Sequence, residues 1–506
     1  MRRWIPSVLF VLLVLGVTWL VADTVDPGPF QRAATGSELA YWSADEGVDS
    51  GSTGAEQLDT LPSPIYPRFL SMFWSSDPTA VRSARTTFSW LFLPPLALAV
   101  FLLAVRRLGV WGACLTAAAG IAVAPVALGA GTLQPAVLAT LFGLWALVAL
   151  DGERSVAGWI LAGLLTGLCA RFEPALGWAL ALILAAGALW KPGRPARPVA
   201  AGAFALLFLA GAAGSGLLVD SGERLPLIRG IDVYRGHAAD APGVHPRRTG
   251  ESELRWWSGP DYFREASVHL AKGRLTPGEV QQHWLGRGIR APFTDPLATL
   301  NRARIKLLAS FQADPLAGDV SAAFLLDRGE SPTLRVLLWL GRLLIPLGLA
   351  GILFARGRAG LVLVAGTLSS LAASILTFAQ ESTHLLAVAC LVVGAGLWVR
   401  ELTAGTGGRR VKVLVAGLAA VAIWGLWPAL GGVPGQGISG EDYYQLGVLY
   451  DREGRGSNAI REYERPLREE PSNPIPRYAL AGMLARDNVN EEAVRAAVLA
   501  GHAYVS

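Results

Sequence analysis

Between two apolar runs, residues Asp23 to Arg85 carry Glu38, Tyr41, Asp45, Glu46 and Asp49, and then Ser63-Pro64-Ile65-Tyr66-Pro67. The sequence on either side reads as membrane. Carboxylates held at the edge of an apolar bundle make this segment the first place to look for chemistry.

Composition sets the class. The chain has 506 residues, 52% hydrophobic and 16% charged, with 58 Gly and 17 Trp. Soluble domains carry about 25% charged residues, and this deficit points to a polytopic membrane protein. The net charge of +5 is spread in short basic clusters beside apolar runs, which is a membrane-orientation pattern and no nucleic-acid signal. Cys114, Cys169 and Cys390 sit within or at the ends of apolar segments, with neither metal-motif spacing nor a disulfide framework.

Outward from the acidic segment, Arg2-Arg3 precede an apolar run from Trp4 to Ala22, which reads as an uncleaved first span; a signal peptide is the alternative. Further spans are expected at Phe88–Val105, Val110–Leu128, Thr132–Leu150, Ser155–Ala170, Pro174–Trp190 and Pro198–Val219. After a polar insert come Thr333–Phe354, Gly360–Phe378, His384–Val399 and Val411–Leu430. The total is roughly eleven, most near the ~17–25 residue length that crosses a bilayer. Threaded this way, Arg2-Arg3, Arg106-Arg107, Arg154, Lys191/Arg194/Arg197, Arg356/Arg358 and Arg400/Arg409/Arg410/Lys412 fall on one side, the cytoplasmic one. The N-terminus is then expected on the cytoplasmic side of the membrane. The loop 23–85, the insert 220–332 and everything after Leu430 then lie outside. The expected organisation is a transmembrane domain over 1–432 and a separate segment over 440–506.

The insert reads as helical. Thr276-Pro277-Gly278-Glu279 is a capping box that opens a helix to about Ile289. Asp295-Pro296 starts another over Leu297–Phe311, whose Leu300, Arg304 and Leu307-Leu308 share helical spacing. Its apolar side is expected against the membrane face or the bundle. Arg302, Arg304 and Lys306 read either as side chains snorkelling to the headgroups or as contacts to a lipid phosphate.

Past the last span, Tyr443, Leu446, Gly447, Tyr450, Ala459, Tyr463 and Pro471 occupy positions 4, 7, 8, 11, 20, 24 and 32 counted from Gly440. That is the pattern of the ~34-residue tetratricopeptide repeat. A weaker second repeat starts at Pro474, and Pro466 is expected to distort the helix it falls in. A pair of repeats must lean on the membrane domain or on a protein partner; a plain helical hairpin is the other reading.

Group transfer from a lipid carrier suits this layout. A carboxylate can act as general base on an acceptor hydroxyl, and cations can hold the carrier phosphate. Between the fifth and sixth spans stand Arg171 and Glu173, either functional or a mutual structural pair. Before the tenth span stand Gln380, Glu381 and His384.

The order of these segments carries a resemblance. Ser63-Pro64-Ile65-Tyr66-Pro67-Arg68-Phe69-Leu70 leads to the second span, and Gly163-Leu164-Leu165-Thr166-Gly167-Leu168 leads to Arg171. Gly230-Ile231-Asp232-Val233-Tyr234-Arg235-Gly236-His237 precedes Leu275-Thr276-Pro277-Gly278-Glu279-Val280, Trp284, Asp295-Pro296 and Lys306. Over nearly its whole length the chain resembles the bacterial GT-C glycosyltransferases of the family-39-like, protein-mannosyltransferase and ArnT-related group with C-terminal tetratricopeptide repeats. The resemblance implies an all-α polytopic fold and a polyprenyl-phosphate sugar donor. It also implies an inverting transfer outside the membrane, often with a divalent cation such as Mg or Mn. The family's Asp-Glu…Tyr loop motif falls on Ser37, Glu38 and Tyr41, so Glu38 or Asp45 takes the place of the base. Relatives carry an arginine where this chain has Ser382-Thr383-His384. Tyr41, Tyr66, Arg171, Glu173, Lys306 and His384 are the expected substrate contacts. The readings left open are a glycosyltransferase, a degenerate member that binds a polyprenyl lipid or an assembly partner, and a transporter. The chain shows no internal repeat of its spans, and this disfavours the transporter.

Overall fold

The structure is a computed structural model that describes residues 5–24, 66–72, 81–131, 133–152, 156–189, 197–213, 230–237, 277–312, 321–329, 332–355, 357–377, 379–426, 438, 440–469 and 474–486. Glu38, Tyr41, Asp45 and Thr276 lie outside them. Among the described residues the chain is all-α. The helices over the apolar runs are α1 (Ile5–Thr24), α3 (Val81–Ala122), α4 (Ala124–Gly131), α5 (Pro135–Gly152), α6 (Val156–Phe172), α7 (Pro174–Leu189) and α8 (Arg197–Ala213). After the insert follow α13 (Pro332–Phe354), α14 (Gly357–Leu376), α15 (Glu381–Ala404) and α16 (Gly407–Leu426). A short α2 (Tyr66–Ser71) precedes α3. The insert contributes α9 (Gly230–His237), α10 (Pro277–Thr294), α11 (Pro296–Ser310) and α12 (Ala322–Gly329), and the C-terminal segment α17 (Gly440–Arg452), α18 (Gly456–Glu469) and α19 (Pro474–Arg486).

Val81–Ala122, Pro332–Phe354 and Thr383–Ala404 are long and apolar enough to cross a membrane, and shorter apolar helices lie at Ser7–Ala22, Pro135–Asp151, Val156–Phe172, Pro174–Ala186, Ala201–Ala210 and Gly360–Leu376. α3 is two of the expected spans. It breaks at Gly109, where φ is 69° and ψ 175°, a conformation open to glycine. The second arm returns along the first, so a Cβ on Gly120 would lie 3.4 Å from Val100.

Within an apolar medium, helices associate by close backbone approach at small residues. A Cβ on Gly351 would lie 1.8 Å from the Gly394 carbonyl, and one on Gly348 2.1 Å from that of Leu391. Both numbers rise together along the two helices, so α13 and α15 run parallel, as alternating passes through a membrane require. Their N-terminal ends therefore share one rim, and Leu180 and Leu386 both lie against Gly143, which packs α5 and α7 on α15. At the opposite rim Arg107 pairs with Asp151, Arg409 with Glu401 at 2.7 Å, and Arg410 donates to the Thr403 carbonyl at 2.7 Å. Arg107, Arg409 and Arg410 thus gather at one end of the bundle. The insert attaches at the other.

The C-terminal helices dock on the insert. Asp442, fully buried on α17, accepts from Ser321 N at 2.6 Å and Ser321 Oγ at 3.0 Å, and Ser321 Oγ in turn caps α12 by accepting from Phe324 N at 3.1 Å. Phe324 meets Tyr443 edge-on at 5.7 Å. α17 ends in a left-handed Gly454 with Arg455 N donating back to Tyr450 O at 2.8 Å, which turns the chain into α18. A Cβ on Gly447 would lie 2.5 Å from the Tyr463 ring, so the hairpin closes only with glycine there. The distortion expected from Pro466 does not end the helix, since α18 runs through it to Glu469.

Replacing Gly351 with leucine is expected to force α13 from α15 at a cost of about 1–3 kcal/mol, read as a lowered unfolding temperature of the solubilised protein. Replacing Asp442 with alanine leaves the Ser321 donors without their acceptor and is expected to weaken docking of the C-terminal helices by about 1.5–3 kcal/mol, read by hydrogen exchange of α17.

Candidate functional site

The last carbonyls of an α-helix have no partner within it. α14 ends at the insert rim, and its terminal carbonyls are met by the insert. Lys306 Nζ donates to Ile375 O at 3.0 Å and to Thr377 O at 2.5 Å. His237 Nε2 stands 3.2 Å from Leu376 O. A Cβ on Gly236 would lie 1.5 Å from Thr377 O, so the backbone of α9 touches the helix end directly. Cations at a helix C-terminus also meet the negative end of its dipole.

Arg302 stands one turn before Lys306 on α11, with Nη2 donating to Thr299 Oγ1 at 2.8 Å. Arg302 is 4% exposed and Lys306 1%. The expectation that these two snorkel to the surface is therefore corrected. Of the three cations, Arg304 alone is exposed. The reason is the docking itself, which turns that face of α11 onto the polar end of α14.

Burial, then the Arg302 charge, lowers the Lys306 pKa from 10.5 to about 7. Burial, then the charges of Lys306 and Arg302, lowers His237 from 6.5 to about 4. A neutral amine keeps two N–H donors, matching the two carbonyls it meets.

The following turn carries the polar start of α15. Thr383 Oγ1 lies 2.9 Å from Ser374 Oγ and donates to Gln380 O at 3.0 Å, tying α14 to α15. His384 is fully buried, its ring against the backbone of Gln312. The hydroxyls of Thr367, Ser369 and Thr377 bond back to carbonyls four residues earlier, giving α14 a buried polar stripe.

The other predicted residues cluster around Phe172. Glu173 is buried in the break between α6 and α7, where Pro174 opens the next helix, and Arg171 is half-buried at the end of α6. Phe172 between them lies 6.4 Å from the Tyr66 ring and stacks on Phe142 at 5.8 Å. Tyr66 is fully buried, its hydroxyl donating to the carbonyl of Leu133, which has a φ of +48°. Lys306 and His384 thus gather at the insert joint, while Tyr66, Arg171 and Glu173 gather around Phe172. His237 and Arg302 were not assigned from sequence as site residues. The Gly236-His237 pair at the end of a short polar helix was the available signal. Among the described residues no group of three or more His, Cys, Asp or Glu could hold a metal ion, so the described rim supplies no ligand set for the Mg or Mn that the resemblance implies.

No family model and no curated protein matches the sequence. Two solved structures resemble the fold at low identity. ArnT from Cupriavidus metallidurans, crystallised with undecaprenyl phosphate, is 17% identical with a TM-score of 0.35, over 79% of this chain and 80% of that one. The Archaeoglobus fulgidus oligosaccharyltransferase in its apo form is 15% identical with a TM-score of 0.40, over 89% of this chain and 58% of that one.

The sign of the pH effect on docking follows from the lowered pKa values. An undocked Lys306 binds a proton up to about pH 10.5, while the docked one loses it near 7. Docking is therefore expected to strengthen as pH rises through this window, and for His237 likewise between about 4 and 6.5. Hydrogen exchange of α11, corrected for intrinsic rates, should show protection rising from neutral to alkaline pH. Lys306→Met should abolish that rise.

Proposed function

We propose that this protein is a membrane glycosyltransferase. It would move a sugar from a polyprenyl-phosphate-linked donor to an acceptor outside the cytoplasm, with inversion at the anomeric carbon. The observation that carries this reading is the buried polar joint at the insert rim. Lys306, Arg302 and His237 are packed together there, and His384 is fully buried at the start of α15.

In this reading Glu38 or Asp45 takes the proton of the acceptor hydroxyl. The acceptor oxygen attacks the anomeric carbon, the sugar–phosphate C–O bond breaks, and polyprenyl phosphate leaves with one more negative charge. Lys306, Arg171 and His384 lie on the phosphate side, with Tyr41, Tyr66 and Glu173 shaping the substrate site. A phosphate arriving beside Lys306 would restore the proton that burial removes, so the cation strengthens as the leaving charge develops. The surrounding membrane would be the bacterial inner membrane, with the insert and the C-terminal helices outside.

A second reading rests on Ser37 and on Ser382-Thr383-His384, which replace residues that the resembling family uses. There the protein binds a polyprenyl lipid without turnover, and the C-terminal helices hold a protein partner.

Sugar release from radiolabelled polyprenyl-phosphate sugars distinguishes the two. Glu38→Gln or Asp45→Asn, whichever removes the base, is expected to lower turnover about 10²–10⁴-fold while the protein stays folded. Saturable binding of the lipid by wild type, with no turnover of any donor, would favour the second reading.

A further inference from the structure

The amphipathicity of α11 is inverted with respect to a helix in water. Its cations Arg302 and Lys306 face the bundle, while Leu297 is 78% and Leu300 66% exposed. The exposed stripe begins on α10 with Ile289 and with Phe293, which is 83% exposed, passes the Asp295-Pro296 corner, and continues through Leu300 to Leu307. Positions 297, 300, 304 and 307 fall on one helical face. Arg304 stands within that stripe, its Nε bonded to Asn301 Oδ1 at 3.2 Å, and Arg287 and Arg290 are exposed on α10.

Two features of the bundle give the level of this elbow. α11 lies across the end of α14, whose outward face exposes Leu361, Leu368 and Ile375 at seven-residue spacing. That apolar face therefore continues into the elbow, since Ile375 is also the residue whose carbonyl Lys306 caps. Exposed Trp19, Trp90 and Trp339 occur on α1, α3 and α13 in the halves nearer this rim, as expected of a membrane interface.

We infer that the α10–α11 elbow lies in the outer interface of the bilayer, with Ile289, Phe293, Leu297, Leu300 and Leu307 among the acyl chains and Arg287, Arg290 and Arg304 at the level of anionic phospholipid headgroups. The long arginine stems reach from the apolar layer to the phosphates. The elbow then forms a wall whose outer side is lipid and whose inner side is the Lys306–Arg302 cluster. This inference does not depend on the enzymatic reading, and its test uses no activity.

The native cysteines Cys114, Cys169 and Cys390 are buried, so introduced thiols can be labelled selectively. Phe293→Cys, Leu297→Cys and Leu300→Cys, each spin-labelled in the full chain, are reconstituted into vesicles of phosphatidylethanolamine and phosphatidylglycerol. Glu453→Cys, on the exposed turn after α17, is the solvent reference. Collision rates with oxygen and with a water-soluble nickel chelate are compared. The elbow labels are expected to favour oxygen and to report a depth of about 5–10 Å below the headgroups. Nickel access equal to that at Glu453 would overturn the proposal in favour of a solvent-facing elbow. Exclusion of both reagents would overturn it in favour of contact with protein.

Discussion

The end of α14 is the constraint on which the upper half of the molecule depends. A helix that stops inside an apolar bundle leaves carbonyls that neither lipid nor core can satisfy. Here the groups that satisfy them come from the insert, through Lys306 to Ile375 and Thr377 and through His237 beside Leu376. One requirement of backbone chemistry thus fixes where α9 and α11 sit. Bringing a lysine and a histidine to those carbonyls strips them of water, and that depresses both pKa values.

The two rims solve the same problem differently. At the basic rim, arginines meet carboxylates and helix ends near the surface, as in Arg409–Glu401 and Arg410 on Thr403 O, and they keep water within reach. At the insert rim the cations are covered. A buried charge or dipole must be paired or hold its proton loosely. Lys306 does both.

The C-terminal helices show how a short helical unit finds the neighbour it needs. Asp442 serves as acceptor for the residue that caps α12, so the start of one helix and the docking of another are a single hydrogen-bond network. Phe324 against Tyr443 adds the apolar part of the contact. The membrane bundle, insert and C-terminal helices are thereby joined through α12.

Much of the fold was legible in sequence. Apolar runs longer than a soluble core requires, separated by Arg106-Arg107 or by prolines such as Pro174 and Pro332, mark helices because a chain in lipid must satisfy its backbone within each segment. Gly109 marks the turn in α3 and Asp295-Pro296 the start of α11 for equally local reasons. The orientation of α11 was not legible. Its pattern of leucines and cations is compatible with either face turned inward, and periodicity carries no sign. Only the tertiary structure decided that Arg302 and Lys306 face the bundle, because the carbonyls that Lys306 answers belong to a helix some seventy residues away. The covered state of His384 was hidden for the same reason. Sequence determined which segments form apolar helices and where they turn, through local backbone chemistry. The site arose from which helix end each cation could reach, and that is a property of packing.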